Sequence, residues 1–199
     1  MTATWLLPII PLIVSSSTGG LLAAPLLPFS SSKSLATLVF ATVSVIMGLT
    51  LAFMILTLYF LRLVLHGIPR SGGVVSVYIP LGPVGQGGYS ILLLGAGYNA
   101  LLPLHYGNST VLRLETVGQI VSVATLAIAV ALWVMGTLWL IYGLMATADV
   151  LWNDHVHFKQ AFWSLIFPNV SACSSHLLLR YLSCAHTRTV QDLPHSRYG

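Results

Sequence analysis

Four adjacent hydroxyl side chains, Ser15, Ser16, Ser17 and Thr18, lie in an otherwise apolar segment just beyond the proline pair Pro8 and Pro11. The pattern recurs: Gln86, with Gly87 and Gly88, follows Pro80 and Pro83, and Asn169, Ser171 and Ser174 follow Pro168. Hydroxyls and carboxamides carry no fixed charge, so they can replace the hydration shell of an anion without holding it too tightly to leave. Proline lacks a backbone donor and crowds the preceding turn. In lipid such a break is tolerated only where the freed groups face protein or a water-filled cavity. This predicts a polar path lined by three broken segments, with half-helix N-termini adding partial positive charge at the breaks. Small and hydroxyl residues also serve close helix packing in membranes, but packing does not need paired prolines.

The elements that must hold these groups are apolar. Of 199 residues, 6% are charged and 56% hydrophobic, against roughly 25% charged in a soluble domain. No Asp, Glu, Lys or Arg occurs before Lys33, between Lys33 and Arg62, or between Arg70 and Arg113. Each interval exceeds the roughly 20 residues that a helix needs to cross the hydrocarbon core. The expected fold is therefore an all-α integral membrane protein with about five transmembrane helices, at residues 5–24, 35–64, 77–102, 116–146 and 161–182. Pro25 and Pro28 are expected to end the first span. The second and fourth spans are long and free of proline, whereas the run from 78 to 89 is not expected to be regular helix throughout. Residues 1–182 form the transmembrane domain on this reading, and residues 183–199 a polar, disordered tail.

Orientation follows from the sparse charges. With the N-terminus cytoplasmic, Arg62, Arg70 and Lys159 fall inside, against Lys33 and Arg113 outside. The same topology puts Asn108, in an Asn-Ser-Thr glycosylation sequon, on the exterior.

Other function classes find little support. The net charge of +4 comes from scattered residues rather than a basic cluster, which argues against nucleic-acid binding. Cys173 and Cys184 have no metal-ligand spacing, and His155 and His157 near Asp154 read as a solvated loop. No metal or other cofactor is expected. A nucleophile-elbow motif is absent and no catalytic constellation is found, so no enzyme is expected. The partners implied are the lipid bilayer and a small inorganic or organic anion.

Three segments in order, WLLPIIP at 5–11, IPLGPVGQGGY at 79–89 and FWSLIFP at 162–168, make the chain resemble the tellurite-resistance/dicarboxylate transporter family. This family belongs to the voltage-dependent anion channel/malic acid transport superfamily and includes fungal sulfite efflux pumps, malic acid transport proteins and plant slow anion channels. The resemblance covers about residues 3–180. It implies ten helices in five hairpins about a pseudo-five-fold axis, kinked inner helices alternating with straight outer ones, of which this chain matches the C-terminal half. It further implies a gating phenylalanine on the last span, Phe167 or Phe162, and assembly as a trimer. The expected function is sulfite or bisulfite efflux across the plasma membrane, the serine run being more like the sulfite pumps. The alternatives are malate or another C4-dicarboxylate, an anion channel, or a truncated fragment that transports nothing.

Overall fold

The computed structural model describes residues 3–67, 71–102 and 116–153, together with Ile166, Asn169, Val170, Cys173, His176 and Arg180. Among the described residues all regular structure is helical: α1 (Ile10–Leu26), α2 (Ser31–His66), α3 (Leu81–Leu101) and α4 (Val117–Asn153). Two 3-10 segments, Ala3–Leu6 and Ser71–Tyr78, precede α1 and α3. The six isolated positions beyond residue 153 are also α-helical.

Helices α2 and α4 are long and apolar enough to cross a membrane. The 36 residues of α2 measure about 54 Å at a rise of about 1.5 Å each, so it overshoots the hydrocarbon core. It starts earlier than the apolar run because Ser30, in extended conformation, accepts the Lys33 N–H at 3.4 Å as an N-cap. It ends at Gly67, whose φ of 73° favours glycine and whose N–H closes on Leu63 O. The first helix does not stop before Pro25 as expected. Pro25 lies inside the last turn of α1, where it forfeits only the bond from its own nitrogen.

The prolines shape the backbone by a simple exchange. Pro80 and Pro83 have no N–H to give to the carbonyls four residues back, those of Ser76 and Ile79. The residue before each proline supplies it instead: Ile79 N–H donates to Ser76 O at 3.3 Å and Gly82 N–H to Ile79 O at 3.1 Å. Such three-residue bonds are the 3-10 pattern, so the pair sets the junction at which the 3-10 segment becomes α3. The irregular part of the 78–89 run is thus confined to its start, and Gly85 to Tyr89 are regular α-helix. Pro83 stands in the first turn of α3 and Pro11 in that of α1, where backbone donors have no intrahelical acceptor in any case.

Pro28 repeats the exchange, with Leu27 N–H donating to Ala24 O at 3.2 Å. That withdraws the Leu27 donor from Ala23 O, and the buried Ser34 hydroxyl of α2 donates there at 2.8 Å. Replacing Ser34 by alanine leaves this carbonyl without its partner in a buried site. The expected cost is about 1–3 kcal/mol, read as a lower unfolding midpoint of the detergent-solubilised protein; an unchanged midpoint would show that the contact is dispensable.

The bundle is organised around α3, which packs against α1, α2 and α4 and is buried on most sides from Leu81 to Gly95. Small residues permit the close approach: a Cβ at Gly19 would stand 2.8 Å from Ala41 Cβ, and one at Gly20 would stand 3.0 Å from Leu93 Cβ. Tyrosines fasten both ends of this central element. Tyr98 of α3 donates to Thr42 of α2 at 3.0 Å, the Thr42 proton being spent on Leu38 O. Tyr78 donates to Thr147 of α4 at 2.9 Å, the Thr147 proton being spent on Gly143 O. Tyr59 of α2 bonds Ser76 at 3.2 Å.

In α2 a stripe of Leu38, Ala41, Val45, Ala52, Leu56, Tyr59 and Leu63 faces the core, at the three- and four-residue steps of one helix face. Its opposite face shows Phe40, Val43, Met47, Met54 and Leu61, and α4 likewise shows Ile120, Val134, Leu138, Ile141 and Met145. Large apolar side chains on the outward face are what lipid requires.

Candidate functional site

Helical geometry divides the four hydroxyls of α1. Ser16 and Ser17 are buried, while Ser15 and Thr18 are exposed on the face that also carries Pro11 and Leu22. Ser17 and Thr18 both donate to Val14 O, at 2.8 and 3.1 Å. With its proton committed, Ser17 Oγ accepts from Nε2 of Gln86 on α3 at 2.8 Å. The Ser16 hydroxyl is fully buried with no hydrogen-bond partner among the described residues.

A second crossing lies one turn further along α3. Ser90, fully buried, points its hydroxyl at Ile13 O of α1 at 3.1 Å and at Gln86 O of its own helix at 2.9 Å, so one proton is shared between two carbonyls. Gln86, Tyr89, Leu93, Ala96 and Ala100 form the less buried stripe of α3, again at steps of three and four. The α1–α3 seam therefore joins two accessible faces: one bears Ser15 and Thr18, the other Gln86 and Tyr89. The chemistry it offers is neutral hydrogen bonding, since Ser15 to Thr18, Gln86 and Ser90 carry no formal charge.

Of the residues singled out from sequence, Ser17 and Gln86 are brought into direct contact. Asn169 lies elsewhere, in a cavity of about 360 Å³ shared with Gly85, Thr137 and His176. Phe162, Phe167, Pro168, Ser171, Ser174 and Asn108 fall outside the described residues, as do Asp154, His155, His157 and Cys184. Pro8 precedes α1 in a turn, and Gly87 and Gly88 are buried in α3. The Gly87 position abuts Leu49 of α2, so this glycine serves packing. Sequence reasoning missed Ser90 and Tyr89. Their signal was present in the spacing: Tyr89 and Ser90 follow Gln86 by the two intervals that share a helix face.

A larger groove of about 450 Å³ runs between α2 and α4, lined by Phe53, Phe60, Trp139 and Tyr142. It is almost wholly apolar and lies away from the seam. Among the described residues no three His, Cys, Asp or Glu side chains gather as a metal site would require.

Comparison with known proteins adds a family. A family model described as "voltage-dependent anion channel" (SLAC1) matches residues 1–190. The sulfite efflux pump SSU1 of Arthroderma otae is 31% identical over 172 residues, covering 84% of this chain and 42% of that protein. SSU1 of Candida albicans is 36% identical over 109 residues, covering 54% of the chain and 22% of the pump. The Saccharomyces cerevisiae protein of the same name is 23% identical over 202 residues, with 91% of the chain and 44% of the pump covered. The chain thus spans less than half the length of these relatives. No solved structure matches it.

Proposed function

This chain belongs to the voltage-dependent anion channel family, and on that premise we propose that it forms part of a transmembrane anion pathway whose cargo is sulfite or bisulfite, exported across the plasma membrane. The observation that carries the reading is the uncharged seam of α1 and α3, in which Gln86 bonds Ser17 at 2.8 Å beside the exposed Ser15 and Thr18. Donors without charge can replace hydration and still release the ion. The choice of cargo follows the names of the pumps that the chain resembles.

In this reading α1, α3 and the fifth span are the inner, proline-bearing elements, and α2 and α4 are the outer, straight ones. The burial of α3 on most sides and the large apolar side chains exposed on α2 and α4 support that assignment. Residues 1–182 make up the transmembrane unit and residues 183–199 its polar tail. Asn169, Ser171 and Ser174 continue the path along the fifth span, and Phe167 or Phe162 occludes it. Copies associate through outer helices as a trimer.

The test is flux through purified full chain in proteoliposomes, with sulfite, malate and chloride each supplied alone. Sulfite flux that saturates and exceeds malate flux supports the assignment. Faster malate flux would replace the cargo, and fast unsaturated chloride flux would make the path a channel. No flux of any anion, with the protein folded and inserted, would sink the pathway reading for this chain. Phe167→Ala is expected to raise basal sulfite flux severalfold by removing the plug; equal flux at equal incorporation would assign the phenylalanine to packing.

A further inference from the structure

His176, within the expected fifth span, meets α4 through a ring stack. The imidazole of His176 lies on the indole of Trp133 in α4, with centroids 5.4 Å apart and planes inclined by 23°. Both residues are partly buried. Beside them opens the cavity of about 360 Å³, walled also by Asn169, Cys173, Thr137 and Gly85. An ionisable side chain within a membrane span is costly, and its presence there asks for a role. Imidazole ordinarily changes charge between about pH 5 and 8, and an indole face within about 6 Å attracts a cation.

The surroundings favour that pairing. The Thr137 hydroxyl spends its proton on Trp133 O at 2.9 Å, so its lone pairs remain for a donor or a water in the cavity. No charged group competes on α4, whose residues from Leu132 to Leu140 are all uncharged, nor at Leu81 and Gly85 of α3. On the fifth span the ionisable described neighbours are Cys173, one turn before, and Arg180, one turn after. Arg180 is itself a cation and Cys173 is uncharged as a thiol, so among the described residues the indole face and the cavity are what an imidazolium at His176 meets.

We propose that Trp133 and His176 form a proton-sensitive clasp, in which protonation of His176 tightens the contact between the fifth span and α4 and its loss loosens it. Because the fifth span carries Asn169, the clasp makes the opening of the path respond to pH; this consequence rests on the anion-pathway reading, whereas the clasp itself does not.

Tryptophan emission of the full chain in nanodiscs, followed from about pH 8 to pH 5 across the imidazole range, tests the clasp directly. An imidazolium stacked on indole quenches it. Wild-type emission is expected to fall in a step, and His176→Phe, which keeps a stacked ring but cannot titrate, is expected to lose that step. Trp133→Phe removes the same component. Superimposable titrations of wild type and His176→Phe would overturn the proposal, and with the ring retained that result could not be blamed on a lost stack. Sulfite flux measured in parallel separates the two readings. A flux step that His176→Phe abolishes ties the clasp to the path. Absence of flux at every pH alongside an intact emission step counts against the pathway and still supports the clasp.

Discussion

Gln86→Glu is expected to cut sulfite flux on the order of 100-fold, which corresponds to about 2.8 kcal/mol at roughly 1.4 kcal/mol per decade. The change is nearly isosteric, so it isolates donor chemistry from shape. In the native seam the Gln86 amide donates to Ser17 at 2.8 Å while Ser17 donates to Val14 O. A carboxylate cannot donate. It would draw the Ser17 proton away from Val14 O and place a negative charge on the proposed anion path. Gln86→Leu removes the donor without adding charge and should cost less, about tenfold for one lost hydrogen bond of roughly 1.4 kcal/mol. Flux in proteoliposomes at matched incorporation decides the matter. Equal flux for wild type and Gln86→Glu would remove this side chain from the path, and equal losses for the two variants would show that the lost donor rather than the added charge matters.

Gly95→Leu is expected to have the largest effect on folding. A Cβ at this position would run into Thr125 Oγ1 and stand 2.9 Å from Thr125 Cβ, at the packing surface of α3 and α4. Threonine is branched at Cβ and stiff at χ1, and its hydroxyl is already engaged with Ser122 O at 2.9 Å. The side chain cannot swing aside, so the helices must separate. Overpacking of this kind costs about 1–3 kcal/mol, and a full leucine belongs at the upper end. Gly136→Ala on α4 is the control, because its new methyl would stand 3.5 Å from Leu81 Cδ1 and 3.7 Å from Val84 Cγ1, ordinary contact distances. Thermal unfolding in detergent should show a clear drop for Gly95→Leu and a small change for Gly136→Ala. Equal midpoints for Gly95→Leu and wild type would mean that the α3–α4 approach is looser than the geometry gives.

What could be read directly in the chain follows from chemistry that is local. Proline has no N–H in any environment, so Pro80 and Pro83 announced an irregularity before a single contact was known. Long runs without charge likewise announced α2 and α4, because only helical backbone satisfies itself in lipid. The spacing Pro-x-x-Pro did not reveal where the irregularity would stop. That depended on which residues enter the first turn of α3, where a missing donor has no consequence. Nor could the sequence end α1 correctly. A proline in a last turn is tolerated when its neighbours remain helical, and the orphaned Ala23 carbonyl is met by Ser34 from another helix.

The seam was legible as composition and illegible as geometry. Ser15, Ser16, Ser17 and Thr18 are equivalent by type, and only the packing of α1 against its neighbours turns two of them inward and leaves two exposed. Gln86 stands 69 positions from its partner Ser17, and Ser90 stands 77 from Ile13; no local rule pairs residues so far apart. The sequence by itself determined that the chain is apolar, helical and interrupted by proline at fixed places, because those properties belong to single residues and short runs. The tertiary structure decided which hydroxyls face one another, which glycines admit a neighbour, and that a histidine rests on Trp133, because those properties depend on the relative rotation and separation of helices that packing alone sets.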